Sequence, residues 1–156
     1  MLFSGFLTTA AAILIVLLRE QYGLSYVWSG TFLSFMSIGQ LLTNILTGVL
    51  TQSHPRATIL GFTGGAFIGY VLMAFTGNPI FLALAFALVG AAKGCVLNIS
   101  SVLISDTTLP KAKGLNLIHA FYALGSLLCP FVIAFSSGSS LWQLPLLVTA
   151  LPGLGL

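Results

Sequence analysis

The 156-residue sequence predicts an all-α integral membrane protein, a bundle of six transmembrane helices forming one domain over residues 1–156. Three observations carry that reading. Hydrophobic residues make up 58% of the chain and charged residues 4%, with a mean hydropathy of +1.11, whereas a soluble domain is about 25% charged. Five basic and two acidic side chains cannot cover a globule of this size, which excludes an ordinary cytosolic enzyme and leaves lipid as the solvent. The apolar runs are unbroken, without the period-two alternation of a membrane barrel. The charges, at Arg19, Glu20, Arg56, Lys93, Asp106, Lys111 and Lys113, are widely spaced, and the length accommodates about six crossings of roughly 20 residues each.

The first span covers about residues 2–18, an uncharged run that lacks the basic n-region of a signal peptide. Tyr22-Gly23-Leu24-Ser25 reads as a connector, and the second span runs over about 27–50. Residues 51–56, with His54 and Pro55, form a polar turn before a third span over about 57–76. Gly77-Asn78-Pro79 is a turn by composition, since Gly and Asn tolerate unusual φ and Pro starts the next element. The fourth span follows over about 80–104. The most polar stretch, residues 106–113, contains Pro110, which ends any helix that reaches it. The fifth span covers about 114–135, a serine-rich loop follows, and a sixth span covers 141–156, short for a full crossing and without a polar tail, as though cut.

Lysine and arginine set the expected orientation. With the N-terminus cytoplasmic, Arg56, Lys111 and Lys113 lie inside and Arg19 lies outside beside Glu20, as the positive-inside rule favours. The pI near 9.1 reflects these anchors, and no basic stripe for nucleic acid is present. Cys95 and Cys129 fall inside apolar spans and imply neither a disulfide framework nor metal spacing.

Glycine supplies the packing signals. Gly61, Gly65 and Gly69 recur at every fourth position of the third span, with Gly64 beside them, and Gly90 and Gly94 do so in the fourth. Small residues four apart form a groove that lets helix backbones approach closely in lipid. An internal echo is also present: Phe35-x-x-x-Gly39-x-Leu41-Leu42 matches Phe121-x-x-x-Gly125-x-Leu127-Leu128 three spans later, and an internal repeat of three helices marks secondary transporters.

Polar groups inside the spans are the candidate pathway residues. Lys93 lies near the middle of the fourth span, where a lysine costs about 2.5–3.5 kcal/mol on insertion scales, so it is expected to face an aqueous cavity. At about 100° per residue, Gly90, Lys93, Leu97, Ser100 and Ser101 share one side, with Asn98 at its edge. His119, Tyr122 and Ser126 align on the fifth span, and Ser37, Gln40, Asn44 and Thr47 on the second. Three polar stripes suggest a shared wet interior; alternatively, Ser, Thr and Asn bond helices together at roughly 0.6–2 kcal/mol each. His119 suits either proton carriage or a structural role. No Ser-His-Asp set or metal cluster exists, so no catalytic residue, metal or cofactor is expected, and enzyme chemistry is not.

These features together resemble the N-terminal half of a major facilitator superfamily transporter. That family's loop motif, G-x-L-A-D-R-x-G-R-K-x-x-L, aligns with residues 48–60, where Gly48, Leu50, Arg56 and Leu60 match, while Gln52, Ser53 and Pro55 replace the Asp, the first Arg and the second Gly. Residues 115–130, LNLIHAFYALGSLLCP, look like the fucose permease-like branch, whose pattern is close to L-N-L-x-H/Q-A-F-x-x-L/I-G-S-L-x-G-P; Gly125 and Pro130 match, and Cys129 stands where Gly is usual. Proton-linked members of that branch place carboxylates in the first span and near Asn98, positions without an acid here.

The resemblance implies half of a major facilitator fold, two three-helix repeats. It implies a small polar solute such as a sugar, moved by alternating access, with Gln40, Asn44, Lys93, Asn98, Ser101, His119 and Tyr122 along the pathway. It also implies a second six-helix bundle, either a partner copy or a missing C-terminal half, and residence in a plasma or inner membrane. The alternative from another class is a non-transporting membrane protein or remnant that docks a partner through its glycine-rich faces.

Overall fold

The computed structural model describes residues 1–53, 55–105, 110–137 and 147. The described chain forms five long helices: α1 Leu2–Tyr22, α2 Tyr26–Ser53, α3 Pro55–Phe75, α4 Pro79–Ser105 and α5 Lys111–Ser137. Each contains a segment long and apolar enough to cross a membrane, so the fold is a helical membrane bundle. The expected sixth span, 141–156, lies outside the described residues apart from Leu147.

The helices run further than apolarity alone suggests. Arg19, Glu20 and Gln21 belong to α1, because long polar side chains reach an interface without interrupting the backbone ladder. What stops α1 is Gly23, in the left-handed conformation at φ 61°. Leu24 N–H closes a 3.0 Å bond to the Arg19 carbonyl, the 6→1 bond of a Schellman ending that only a residue free of Cβ accommodates cheaply. The Arg19 guanidinium then stacks 4.0 Å from the Tyr26 ring centroid at the start of α2. The expected polar turn at 51–56 is much tighter than composition suggests: α2 continues to Ser53 and α3 resumes at Pro55, where a missing N–H costs nothing. At the 76–78 turn, Asn78 caps α4, its Oδ1 accepting from Ile80 N–H at 3.0 Å. α5 begins at Lys111, directly after Pro110, rather than at Gly114.

α4 is the central rod, packed against α2 on one side and α3 on another, while α1 packs chiefly along α5. The buried core joins Phe6, Leu14 and Leu18 of α1 to Phe32 and Met36 of α2, Tyr70 and Met73 of α3, Leu82 and Phe86 of α4, and Cys129 and Ile133 of α5. Phe32 and Phe86 stack at 5.1 Å with their planes 5° apart. Tyr70 is fully buried and donates its hydroxyl to the Leu7 carbonyl at 2.7 Å, tying α3 to α1. A Cβ on Gly77 would stand 2.6 Å from the Tyr22 ring, so the α1–α2 and α3–α4 turns share one end of the bundle. The outward faces of α2 and α5, including Ile45, Val49, Leu127 and Phe131, are apolar and exposed, as lipid-facing surfaces are.

Glycine closes two seams. Between α2 and α4, a Cβ on Gly90 would collide with the Met36 carbonyl oxygen, and a Cβ on Gly39 with that of Ala87. Between α1 and α5, Gly5 meets the Tyr122 carbonyl and Gly125 the Leu2 carbonyl in the same way. Gly94 adds a looser approach to Gln40 O at 2.8 Å. The glycines of α3 are used differently from the expected continuous groove. Gly69 presses on Ala85 O at 2.9 Å, Gly65 only grazes Leu88 at 4.0 Å, and Gly61 and Gly64 face open space. Pro130 sits inside α5 and is exposed.

Candidate functional site

The site is built where three helices diverge. α1 contributes Ser4, Leu7 and Thr8; α3 contributes Ile59, Thr63 and Ala66; α4 contributes Val89, Lys93, Val96, Ile99 and Ser100. Together with Met1, Ala92 and Leu103 they line a partly open cavity of about 210 Å³. The α4 residues recur at three and four positions, so one stripe of that helix faces the space. Lys93, midway along α4, is half-buried and is the one charged side chain in the wall among the described residues.

Two of the hydroxyls in the lining, Thr8 and Thr63, are committed as donors. Thr8 donates to the Ser4 carbonyl at 2.8 Å, and Thr63 donates to the Ile59 carbonyl through a short contact. A threonine oxygen retains acceptor capacity after donating, so these two groups present lone pairs to the cavity. A lysine ammonium carries three donors and no acceptor. The polar lining thus combines one cation with hydroxyl acceptors, and apolar side chains fill the rest of the wall.

Asn98 lies elsewhere. Its Nδ2 donates to Thr47 Oγ1 at 2.9 Å, Asn44 Oδ1 at 3.2 Å and the Asn44 carbonyl at 3.3 Å, and Thr47 in turn donates to Thr43 O at 2.8 Å. Asn44 and Asn98 therefore form a polar clasp across the α2–α4 seam, the inter-helix bonding alternative raised by the sequence. Gln40 is half-buried on the same seam, its carbonyl against Gly94. Ser101 is exposed and bonds back to Leu97 O at 2.9 Å. His119 is exposed on α5, Tyr122 is half-buried where its carbonyl meets Gly5, and Ser126 donates to the Gly5 carbonyl at 3.2 Å. Only Lys93 of the seven expected pathway residues lines the cavity. Of the loop-motif residues, Gly48 faces open space and Leu60 is exposed; the side chains of Leu50 and Arg56 lie outside the described residues.

The sequence matches the family profile of the Major Facilitator Superfamily over residues 1–156. The chain belongs to that superfamily. It is accordingly a multi-pass integral membrane protein of transporter rather than enzyme ancestry. Among curated relatives it is similar to the putative niacin/nicotinamide transporter NiaP of Bacillus subtilis (strain 168), at 34% identity over 128 residues, 80% of this chain. It spans 31% of that relative's length.

Sequence reasoning missed Ser4, Thr8 and Thr63 as wall residues of this superfamily member. Ser4 and Thr8 stand four apart in an otherwise apolar α1, a spacing that marks one helix face, and that was the available signal. Thr63 carried none beyond its place among glycines. Gly5 was also missed as a packing residue, although the 35–42 and 121–128 echo singled out Gly39 and Gly125 on two of the other three seam helices.

Proposed function

We propose that the chain is one bundle of a secondary transporter that moves a small polar solute by alternating access, working with a second bundle of the same kind. The observation that carries this is Lys93. A superfamily member has set a lysine midway along its central helix, beside a cavity, where only a water-filled or solute-filled space offsets the cost. Exposed polar groups add support: Asn116 and His119 on α5 sit within a span where lipid does not satisfy them. A second bundle and an aqueous path between the two would.

The two seams support a repeat of three helices. Each of the four helices offers a carbonyl and, three residues later, a glycine: Leu2 and Gly5, Met36 and Gly39, Ala87 and Gly90, Tyr122 and Gly125. α2 stands to α4 as α5 stands to α1, which is the relation expected if helices 1–3 and 4–6 are equivalent units. Arg19 at one end and Lys111 and Lys113 at the other favour a cytoplasmic N-terminus in a plasma or inner membrane.

Two solute chemistries are in view. The resemblance of residues 115–130 to the fucose permease-like branch favours a sugar, and the niacin/nicotinamide name of the relative favours a pyridine acid or amide. The cationic cavity wall suits the second better. Uptake of tritiated nicotinate and of tritiated glucose into proteoliposomes, with cysteine crosslinking to detect the second bundle, tests the proposal. Saturable uptake that accompanies a crosslinked pair of bundles supports it. A correctly inserted, paired protein whose Asn44→Cys and His119→Cys positions resist a water-soluble maleimide, and which moves neither solute, returns the reading to a partner-docking membrane protein.

A further inference from the structure

We infer that Arg19 and Tyr26, at the corner between α1 and α2, form a clamp for the phosphate of a membrane phospholipid. The guanidinium rim is the binding edge, and the tyrosine ring is the surface that holds it in place. The inference goes beyond the transport reading and does not rest on it; it needs only that the chain sits in a bilayer.

Depth comes first. Tyrosine and tryptophan gather where hydrocarbon meets headgroups, because an apolar ring with a polar tip suits that boundary. Of the chain's four tyrosines and two tryptophans, Tyr22, Tyr26 and Trp28 fall together at this corner. Tyr26 and Val27 are 78% and 76% exposed, and Phe75, Ile80 and Phe81, flanking the α3–α4 turn, are exposed as well. The Tyr22 ring lies against Gly77, so the two turns stand at one level. Arg19 is in the last turn of α1, about 4.5 Å along the axis from Tyr22 at 1.5 Å per residue, and so belongs to the same band. The negative group at that depth of a phospholipid bilayer is the phosphate.

The guanidinium is placed to use that charge. Its central carbon is 4.0 Å from the Tyr26 ring centroid, within the roughly 6 Å reach of a cation–π contact. Among the described residues its five N–H donors make no hydrogen bond or ion pair. Glu20 follows it in sequence but is turned about 100° around the helix and is exposed, and no ion pair joins the two. A cation already held against a ring has less freedom to lose when it engages an anion, and its planar fork meets two phosphate oxygens at once. Exposed Val27 beside the ring gives acyl chains an apolar surface, which favours a lipid over free phosphate. A stack that only stapled α1 to α2 would show no preference for phosphate.

The test is lipid binding by the purified 156-residue chain in detergent, read by native mass spectrometry, with phosphatidylglycerol and the phosphate-free digalactosyl diacylglycerol as probes. The unaltered protein is expected to bind phosphatidylglycerol about tenfold more tightly or better, the worth of one charge-assisted contact. Arg19→Gln is expected to remove that difference and leave galactolipid binding as it was. Tyr26→Phe keeps the ring and the preference, while Tyr26→Leu loses most of the preference because the guanidinium is freed. Lys113→Gln removes an exposed cation at the opposite end of the bundle and is expected to change nothing. Equal binding of the two lipids by the unaltered protein overturns the inference without any variant. So does a full preference in Arg19→Gln or in Tyr26→Leu, or an equal loss in Lys113→Gln, which would mark general surface charge. Displacement of the lipid by millimolar inorganic phosphate would assign the site to a soluble anion and overturn the lipid source; binding that withstands it supports the clamp.

Discussion

Replacing Gly90 by alanine tests the α2–α4 seam directly. The added methyl would collide with the Met36 carbonyl oxygen and stand 2.7 Å from its carbonyl carbon and 2.9 Å from its Cα. Ordinary contact begins near 3.4 Å, so relieving the carbonyl carbon alone takes about 0.7 Å of separation and the nearer oxygen takes more; the obstacle is backbone, which has no rotamer to change. Overpacking of this kind costs about 1–3 kcal/mol, and a rigid neighbour argues for about 3. Alanine returns about 1 kcal/mol of helix propensity, leaving a net loss of about 2 kcal/mol. For a chain of this length that corresponds to a fall in Tm of roughly 4–8 °C. Cys95 and Cys129 are buried free thiols, so a thiol-reactive fluorophore reports unfolding in detergent without an added label. Gly61→Ala is the matched control, because its methyl meets open space; it is expected to be neutral or about 1 kcal/mol stabilising. An unchanged midpoint for Gly90→Ala, or an equal fall for Gly61→Ala, would refute the close approach of the two backbones.

Asn98→Ala is expected to destabilise by about 0.6–1.7 kcal/mol, with most of the loss absent in an Asn44→Ala, Thr47→Ala background; a double-mutant cycle in the same thiol assay measures the coupling, and additive losses would dissolve the clasp. Tyr70→Phe removes the bond to Leu7 O while keeping the ring, so a loss of about 1 kcal/mol is expected, read as the change in midpoint. Ser29 Oγ is buried without a hydrogen-bond partner among the described residues; Ser29→Ala should be neutral or raise stability by up to about 1 kcal/mol, and a marked loss would reveal an acceptor there.

The spans were legible because lipid imposes one rule, apolar runs of crossing length, and the five described helices obey it. Their ends were less so. Composition places a boundary at the first polar residue, but Arg19, Glu20 and Gln21 continue α1 at no cost to its backbone, and only Gly23 with its left-handed φ stops it. Lys93 stood out by its cost in a membrane. Its neighbours did not, since a cavity wall is assembled from helices whose relative rotation no single-helix periodicity contains. Asn98 shows the limit: five residues after Lys93, it is turned about 140° around the helix at 100° per residue, enough to move it from the cavity to the α2–α4 seam. The glycines show the same limit, since spacing marked Gly61 as strongly as Gly69 and only the neighbouring helix distinguishes them.

The glycine–carbonyl crossings have a mechanical consequence. Where main chain rests on main chain there is no soft layer of side chains to shear, so α2 and α4 behave as one welded strut and α1 and α5 as another. Any hinge between the two struts must then lie in the thinner join where α1 meets α2 and α4.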